Sequence, residues 1–157
     1  MKKHLFIFGI LAVLFTACND GVLVDRYHDI SQSGWTYEEV FTDSFQVEKP
    51  NHYHLISANL RVSSDYTYSN IHLKIDVKHP DGKETSHKVP VILAEKSGKW
   101  LGSGIGNVLT FQTPILHRKF LNQKGQYTFT VSQDMRLELL PNVVSAGVRV
   151  EQQEEIF

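Results

Sequence analysis

From Trp35 onward, apolar and polar residues alternate one by one, the period of a strand with one buried face. Ile71, Leu73, Ile75 and Val77 take turns with His72, Lys74, Asp76 and Lys78. Ile56, Ala58, Leu60 and Val62 share a face, with Ser57, Asn59 and Arg61 opposite. Tyr127, Phe129 and Val131 alternate with Thr128, Thr130 and Ser132, and Val144, Ala146, Val148 and Val150 with Ser145, Gly147 and Arg149. Phe41, Phe45 and Val47 fall on one face, with Asp43 as the exception on it. Met135 to Leu140 is expected to form a short helical turn that Pro141 ends.

One turn can be read in detail. In His79-Pro80-Asp81-Gly82-Lys83, proline supplies the fixed φ of a type I turn and glycine the left-handed residue after it. A loop of Pro80, Asp81 and Gly82 then pairs His79 with Lys83. That register sets Val77 opposite Thr85, Leu73 opposite Val89 and Ile71 opposite Val91, apolar against apolar. It also turns His87 inward opposite Ile75, so His72 and His87 lie on opposite faces and form no pair. Pro90 lacks a ladder donor and marks an edge or a bulge. About seven to nine short strands of this kind read as one antiparallel β-sandwich, an all-β domain, with a closed β-barrel as the alternative.

The N-terminus follows another pattern. Lys2 and Lys3 precede an uncharged run, Leu5 to Phe15, and then Thr16, Ala17 and Cys18. A charged start, a short apolar core and a small residue at the cut make a secretory signal peptide over residues 1–17. The run is too short to span a membrane: at ~1.5 Å per residue it reaches only about half of a bilayer core near 30 Å. Leu14-Phe15-Thr16-Ala17-Cys18 resembles a bacterial lipoprotein box, which implies cleavage between Ala17 and Cys18 and lipid on the Cys18 thiol. Residues 18–34 read as a tether, broken by Asn19, Asp20, Gly21, Ser31, Ser33 and Gly34, with only Val22-Leu23-Val24 able to pair as a short strand. The β-sandwich is expected over 35–157.

Without residues 1–17 the 157-residue chain has 140 residues, one ordinary domain. The leader takes two of the 16 basic residues and none of the 17 acidic ones, so the remainder carries −3. A weakly acidic protein has no electrostatic footprint for nucleic acid and no basic patch for anionic headgroups. Cys18 is the one cysteine, so a lipidated chain holds its fold by apolar burial and not by disulfides.

Candidate chemistry is sparse. Gly102-Ser103-Gly104-Ile105-Gly106 is glycine-rich but has neither the spacing nor the following Lys-Ser/Thr of a phosphate loop; positive φ or close packing beside Trp100 explains it better. His52 and His54 lie two apart and could share a metal, yet no further ligand is marked by spacing, and they read as surface histidines. There is no nucleophile elbow and no cysteine nucleophile. No enzyme activity, metal or cofactor is expected. Tyr66 and Tyr68, in a polar connection between two strands, are candidate partner contacts because rigid rings anchor interfaces; Trp100 is a third, or a lid over the sandwich end. Glu151, Glu154 and Glu155 read as a solvated tail.

Several segments, in order, resemble the gliding-motility lipoprotein family GldH of Bacteroidetes. They are Gly34-Trp35, Ser64-Asp65-Tyr66-Thr67-Tyr68-Ser69-Asn70, Pro80-Asp81-Gly82-Lys83, Gly98-Lys99-Trp100-Leu101-Gly102-Ser103-Gly104-Ile105-Gly106, Gly125-Gln126-Tyr127-Thr128-Phe129, Gln133-Asp134-Met135-Arg136 and Ala146-Gly147-Val148-Arg149-Val150-Glu151. Thr67 stands where the family often has proline, and Leu137 to Asn142 departs from its pattern. The resemblance implies a cell-envelope lipoprotein needed for gliding and tied to type IX secretion, with no catalytic residue to carry over and Cys18 as its transferable functional position. The expected partners are the membrane, through the lipid, and other envelope proteins. An envelope glycan or peptidoglycan ligand is the competing expectation. Only Asp20 follows Asn19 before Gly21, too little acid for a surface-export signal, which favours an outer-membrane protein facing the periplasm.

Overall fold

The computed structural model describes residues 21–50 and 52–153, and for 117–120 the backbone alone. Twelve strands and no helix occur among them: β1 (Val22–Asp25), β2 (His28–Asp29), β3 (Trp35–Thr36), β4 (Phe41–Val47), β5 (His52–Ser63), β6 (Asn70–Lys78), β7 (Glu84–Ile92), β8 (Ser103–Ile105), β9 (Val108–Leu121), β10 (Gly125–Gln133), β11 (Leu139–Leu140) and β12 (Val143–Gln152). A large sheet runs β1-β12-β5-β9-β8, with β2 also on β12, and a small sheet runs β4-β10-β6-β7; β3 and β11 form a separate ribbon. Every pairing is antiparallel. The sheets are open and no barrel closes, so the fold is the expected all-β sandwich. The strand count exceeds the expected seven to nine because short pairs such as β2, β3 and β11 carry too little alternation to be seen in sequence.

The two sheets bury one core. Ile56, Ala58, Leu60 and Val62 from β5 meet Ile71, Leu73, Ile75 and Val77 from β6 and Tyr127, Phe129 and Val131 from β10, all buried. The predicted hairpin register holds residue for residue, Val77 with Thr85 through Ile71 with Val91. The His79 N–H donates to the Lys83 carbonyl at 2.8 Å and closes the turn. Gly82 there has φ +83°. Pro90 lies on β7, the last strand of its sheet, where a missing donor costs no ladder bond.

Three expectations are corrected. Residues 21–34 are not a loose tether: β1 pairs with the end of β12, β2 pairs with Ser145 and Ala146, and Ile30 is buried. The segment between β1 and β2 crosses the outer face of the large sheet. That face is polar in sequence but not solvated, with Ser57, Asn59 and Ser145 all buried. Asn59 donates to Asp25 Oδ1 at 2.6 Å and to the Arg26 carbonyl at 3.1 Å, and accepts from Gln112 at 3.1 Å. Asp25 also pairs with Arg149, and Arg61 lies 4.3 Å over the Tyr27 ring. Second, Met135 to Leu140 forms no helical turn; Leu140 is drawn into the core and β11 pairs with β3. Third, Val144 is exposed and Val143 buried, because the register of β12 slips between Val143 and Ser145 and a slip of one residue exchanges the faces. The Asp43 exception has a partner: its carboxylate lies 2.7 Å from His28 Nε2, and the His28 ring stacks on Phe41 at 5.0 Å.

The sandwich has two ends of different character. At the near end the chain enters the fold, where Gly21 accepts from the Gln152 N–H at 2.7 Å; the Pro80–Gly82 turn lies there too, touching Gly125. The 12 residues of β5 run from this end to the far one, roughly 37 Å at ~3.4 Å per residue. At the far end the loops are joined by main-chain bonds: Ser63 to Asn142 at 2.9 Å, Ser64 to Asn107 at 2.8 Å, and Leu93 and Ala94 to Ser69 at 2.8 and 3.0 Å.

Candidate functional site

The far end carries an open groove of about 560 Å³ lined by Tyr68, Asn70, His72, Asp134, Met135, Arg136 and Leu137. One wall comes from the connection between β5 and β6. Ser63 starts a tight turn, accepting from the Tyr66 N–H at 2.9 Å and, through its hydroxyl, from the Asp65 N–H at 3.2 Å. Tyr66 is then buried, 4% exposed, and its hydroxyl donates to the Asn70 carbonyl at 3.1 Å. Burial raises its phenol well above the ordinary value, with Tyr68 adding to the shift. Tyr68 sets its edge against Tyr66 at 5.7 Å and stays 37% exposed.

The other wall follows β10. Gln133, 3% exposed, accepts from the Met135 N–H at 2.8 Å and donates to the Leu137 carbonyl at 2.9 Å and the Trp35 carbonyl at 3.5 Å. One buried amide thus shapes the loop and ties it to the Trp35 segment, and the backbone that would have turned helical is held by side-chain bonds instead. Trp35 itself is wholly buried, its Nε1 donating to the Glu39 carbonyl at 2.7 Å. The Tyr37 hydroxyl donates to the Met135 carbonyl at 2.6 Å, and Asp134 N–H to the His72 carbonyl at 2.8 Å. Lys88 pairs with Asp134 at 2.9 Å, which leaves exposed Arg136 as a cation without an ion pair among the described residues. The groove therefore combines apolar walls from Tyr68, Met135 and Leu137 with Arg136 and the Lys88-paired Asp134 as its charged groups.

The sequence-derived candidates separate here. Tyr66 and Tyr68 come together, Tyr66 as the buried support and Tyr68 as the surface it presents. Trp100 does not line this groove. It is half-buried against the core, bridged to Ala94 and edge-on to Phe111 at 6.4 Å. The glycines beside it allow close packing, since a Cβ on Gly102 would lie 2.6 Å from the Phe111 ring and one on Gly104 2.0 Å from the Val108 carbonyl oxygen. Gly106 has φ +70° in the β8–β9 turn, so the segment is a hairpin and not a phosphate loop. His54 is fully buried, against the expectation of a surface histidine: it lies on the central strand β5, two residues before the wholly buried Ile56, while Tyr53 just before it is exposed. No group of three metal-binding side chains occurs among the described residues. Asn70, His72, Met135, Arg136 and Leu137 were not singled out as site residues from sequence; apart from the family-like Asn70 and Gln133–Arg136 segments, no local pattern marks them. Ala17, Cys18, Glu154 and Glu155 lie outside the described residues.

The family profile described as GldH lipoprotein matches residues 22–150. A gliding motility lipoprotein GldH homolog from Christiangramia forsetii is 25% identical over 156 residues, covering 95% of each chain. Among solved structures, the infectious bursal disease virus VP2 subviral particle (12% identity, TM-score 0.32) and the Gt strain of that virus (11%, 0.32) overlap 82% and 83% of this chain. The match spans 31% of each viral chain, and so slight a likeness carries no argument.

Proposed function

The chain belongs to the GldH lipoprotein family, and from that premise we propose a lipid-anchored, non-catalytic protein of the cell envelope that works by protein contact. Cleavage between Ala17 and Cys18 leaves Cys18 to carry the lipid. The anchor lies at the near end, because only Cys18 to Asp20 separate it from Gly21. The contact surface lies at the far end, so the protein reaches away from its membrane, at the outer membrane and facing the periplasm, as an accessory or scaffold component of the gliding or type IX secretion machinery.

The observation that carries this reading is convergence. Ser64–Asn70 and Gln133–Arg136 form the two walls of the groove, and Gln133 ties in Trp35. Two segments that resemble the family thus meet at one surface, with a third, Gly34-Trp35, bonded beneath it, all far apart in sequence and remote from the chain's entry into the fold. Chemical crosslinking of whole membranes followed by pull-down and mass spectrometry tests it. Tyr68→Ala and Arg136→Gln are expected to lose the same envelope protein while the chain stays folded and membrane-bound. Retention of the wild-type protein on a glycan array, lost in Tyr68→Ala with protein partners unchanged, would replace this reading with glycan binding.

A further inference from the structure

Met135 carries the one sulfur atom among the described residues, and the fold fixes it in a wall of the groove. Its main chain is held on both sides: the N–H donates to the Gln133 side chain at 2.8 Å, and the carbonyl accepts from the Tyr37 hydroxyl at 2.6 Å. The side chain is half-buried, packed against the core and lining the groove with Tyr68 and Leu137. Its Sδ accepts from the His72 N–H at 3.2 Å. That bond engages one lone pair of the thioether and leaves the other for reaction.

A methionine sealed in a core is out of reach of oxidants, and one that touches nothing changes nothing when it reacts. Met135 is neither. An open groove of about 560 Å³ leads to it, and it supplies part of the apolar wall that the contact reading assigns to a partner. Methionine is suited to such a wall because its thioether is soft and apolar, and oxidation removes both properties.

We propose that Met135 is an oxidation site that reversibly weakens the groove: a hydroperoxide converts its thioether to the sulfoxide, and a methionine sulfoxide reductase restores it. This inference rests on the contact reading and names a regulation of that same surface. In the step, a sulfur lone pair attacks one peroxide oxygen. The S–O bond forms as the O–O bond breaks, sulfur loses two electrons, and the proton on the attacked oxygen passes to the departing one. With hydrogen peroxide the second product is water. The new sulfoxide oxygen is a strong acceptor on a wall that was apolar. A partner's apolar group seated there must bury it unmatched, a loss of ~5–150-fold in affinity. The bonds from the Met135 main chain to Gln133 and Tyr37 do not involve sulfur, so the loop keeps its shape and the chain stays folded.

The first test treats purified full-length protein in detergent with hydrogen peroxide and follows the gain of one oxygen on the Met135 peptide by mass spectrometry, in native and in urea-unfolded chains. The native rate is expected close to the unfolded one, with the melting temperature retained. Native oxidation an order of magnitude slower, or unfolding on oxidation, would overturn the proposal. The second test places a photocrosslinking phenylalanine at Glu138, the exposed neighbour of Leu137, in living cells and compares partner capture before and after a brief peroxide pulse. Capture is expected to fall ~5-fold or more and to recover as the sulfoxide is reduced. In Met135→Leu, a volume-conserving change, peroxide is expected to leave capture at that variant's own starting level. No fall in the wild type, or an equal fall in Met135→Leu, overturns the proposal and leaves the contact reading standing. A groove that captures no protein before peroxide sinks both.

Discussion

Gly147→Ala tests the strap that the segment between β1 and β2 lays across the outer face of the large sheet. A Cβ on Gly147 would lie 2.1 Å from the Arg26 carbonyl oxygen, 2.8 Å from its carbon and 3.2 Å from Tyr27 Cα. All three are backbone atoms, so no side-chain rotation relieves the clash, and the strap must lift by more than an ångström. Lifting it strains the Arg26 N–H to Val148 carbonyl bond at 3.0 Å and the two bonds from buried Asn59 to Arg26 and Asp25. Buried bonds of this kind contribute about 0.5–1.5 kcal/mol each, and overpacking alone costs about 1–3. The expected loss is about 2–4 kcal/mol, a fall in melting temperature of roughly 5–15 °C. Gly82→Ala is the control: it has φ +83° but no atom within 4 Å of the added Cβ, so its cost is only the backbone strain of about 1–2 kcal/mol. Denaturant unfolding of both variants of the full-length protein in detergent gives the comparison. If Gly147→Ala stays within ~0.5 kcal/mol of wild type, a span conventional for neutral substitutions, the strap does not pack on the sheet.

Further outcomes are expected. Trp35→Ala removes a wholly buried ring and should cost about 3–5 kcal/mol by chemical denaturation. Gln133→Leu, which removes both the acceptor and the donor that shape the groove loop, should lower Tyr68-dependent crosslinking by more than it lowers stability, read by comparing crosslink yield with unfolding midpoint. Because burial raises the Tyr66 phenol above its unfolded value of 10.0, the stability it supports is intact below pH ~10 and lost as pH climbs toward the folded-state value; Tyr66→Phe should lessen the alkaline fall in a melting-temperature series without abolishing it, since burial raises the Tyr27 and Tyr127 phenols as well, while costing about 1 kcal/mol at neutral pH for the lost bond to Asn70.

The sandwich was legible where one face of a strand is wet. The β6–β7 register followed from Pro80-Asp81-Gly82 and from apolar pairs on a single face. The strap was not legible, since Ser57, Asn59 and Gly147 look like a solvated face until another segment covers them; the signal was the small and amide side chains there, which a solvated face would not need. Met135 to Leu140 misled because local spacing ignores the buried Gln133 amide, which binds that loop's backbone from outside it. The groove was half legible: aromatic Tyr68 stood out in a polar connection, but its opposite wall lies across the sheet, and sequence spacing says nothing about pairs brought together by topology.

The account stands on one polarity, with the membrane at the near end and partners at the far end. Its most direct measurement is a photocrosslinking phenylalanine placed in living cells either at Tyr68 or at Lys83, which lies in the near-end turn. Protein crosslinks from Tyr68 and none beyond lipid from Lys83 are the predicted result; a protein partner captured from Lys83 with Tyr68 silent would contradict it.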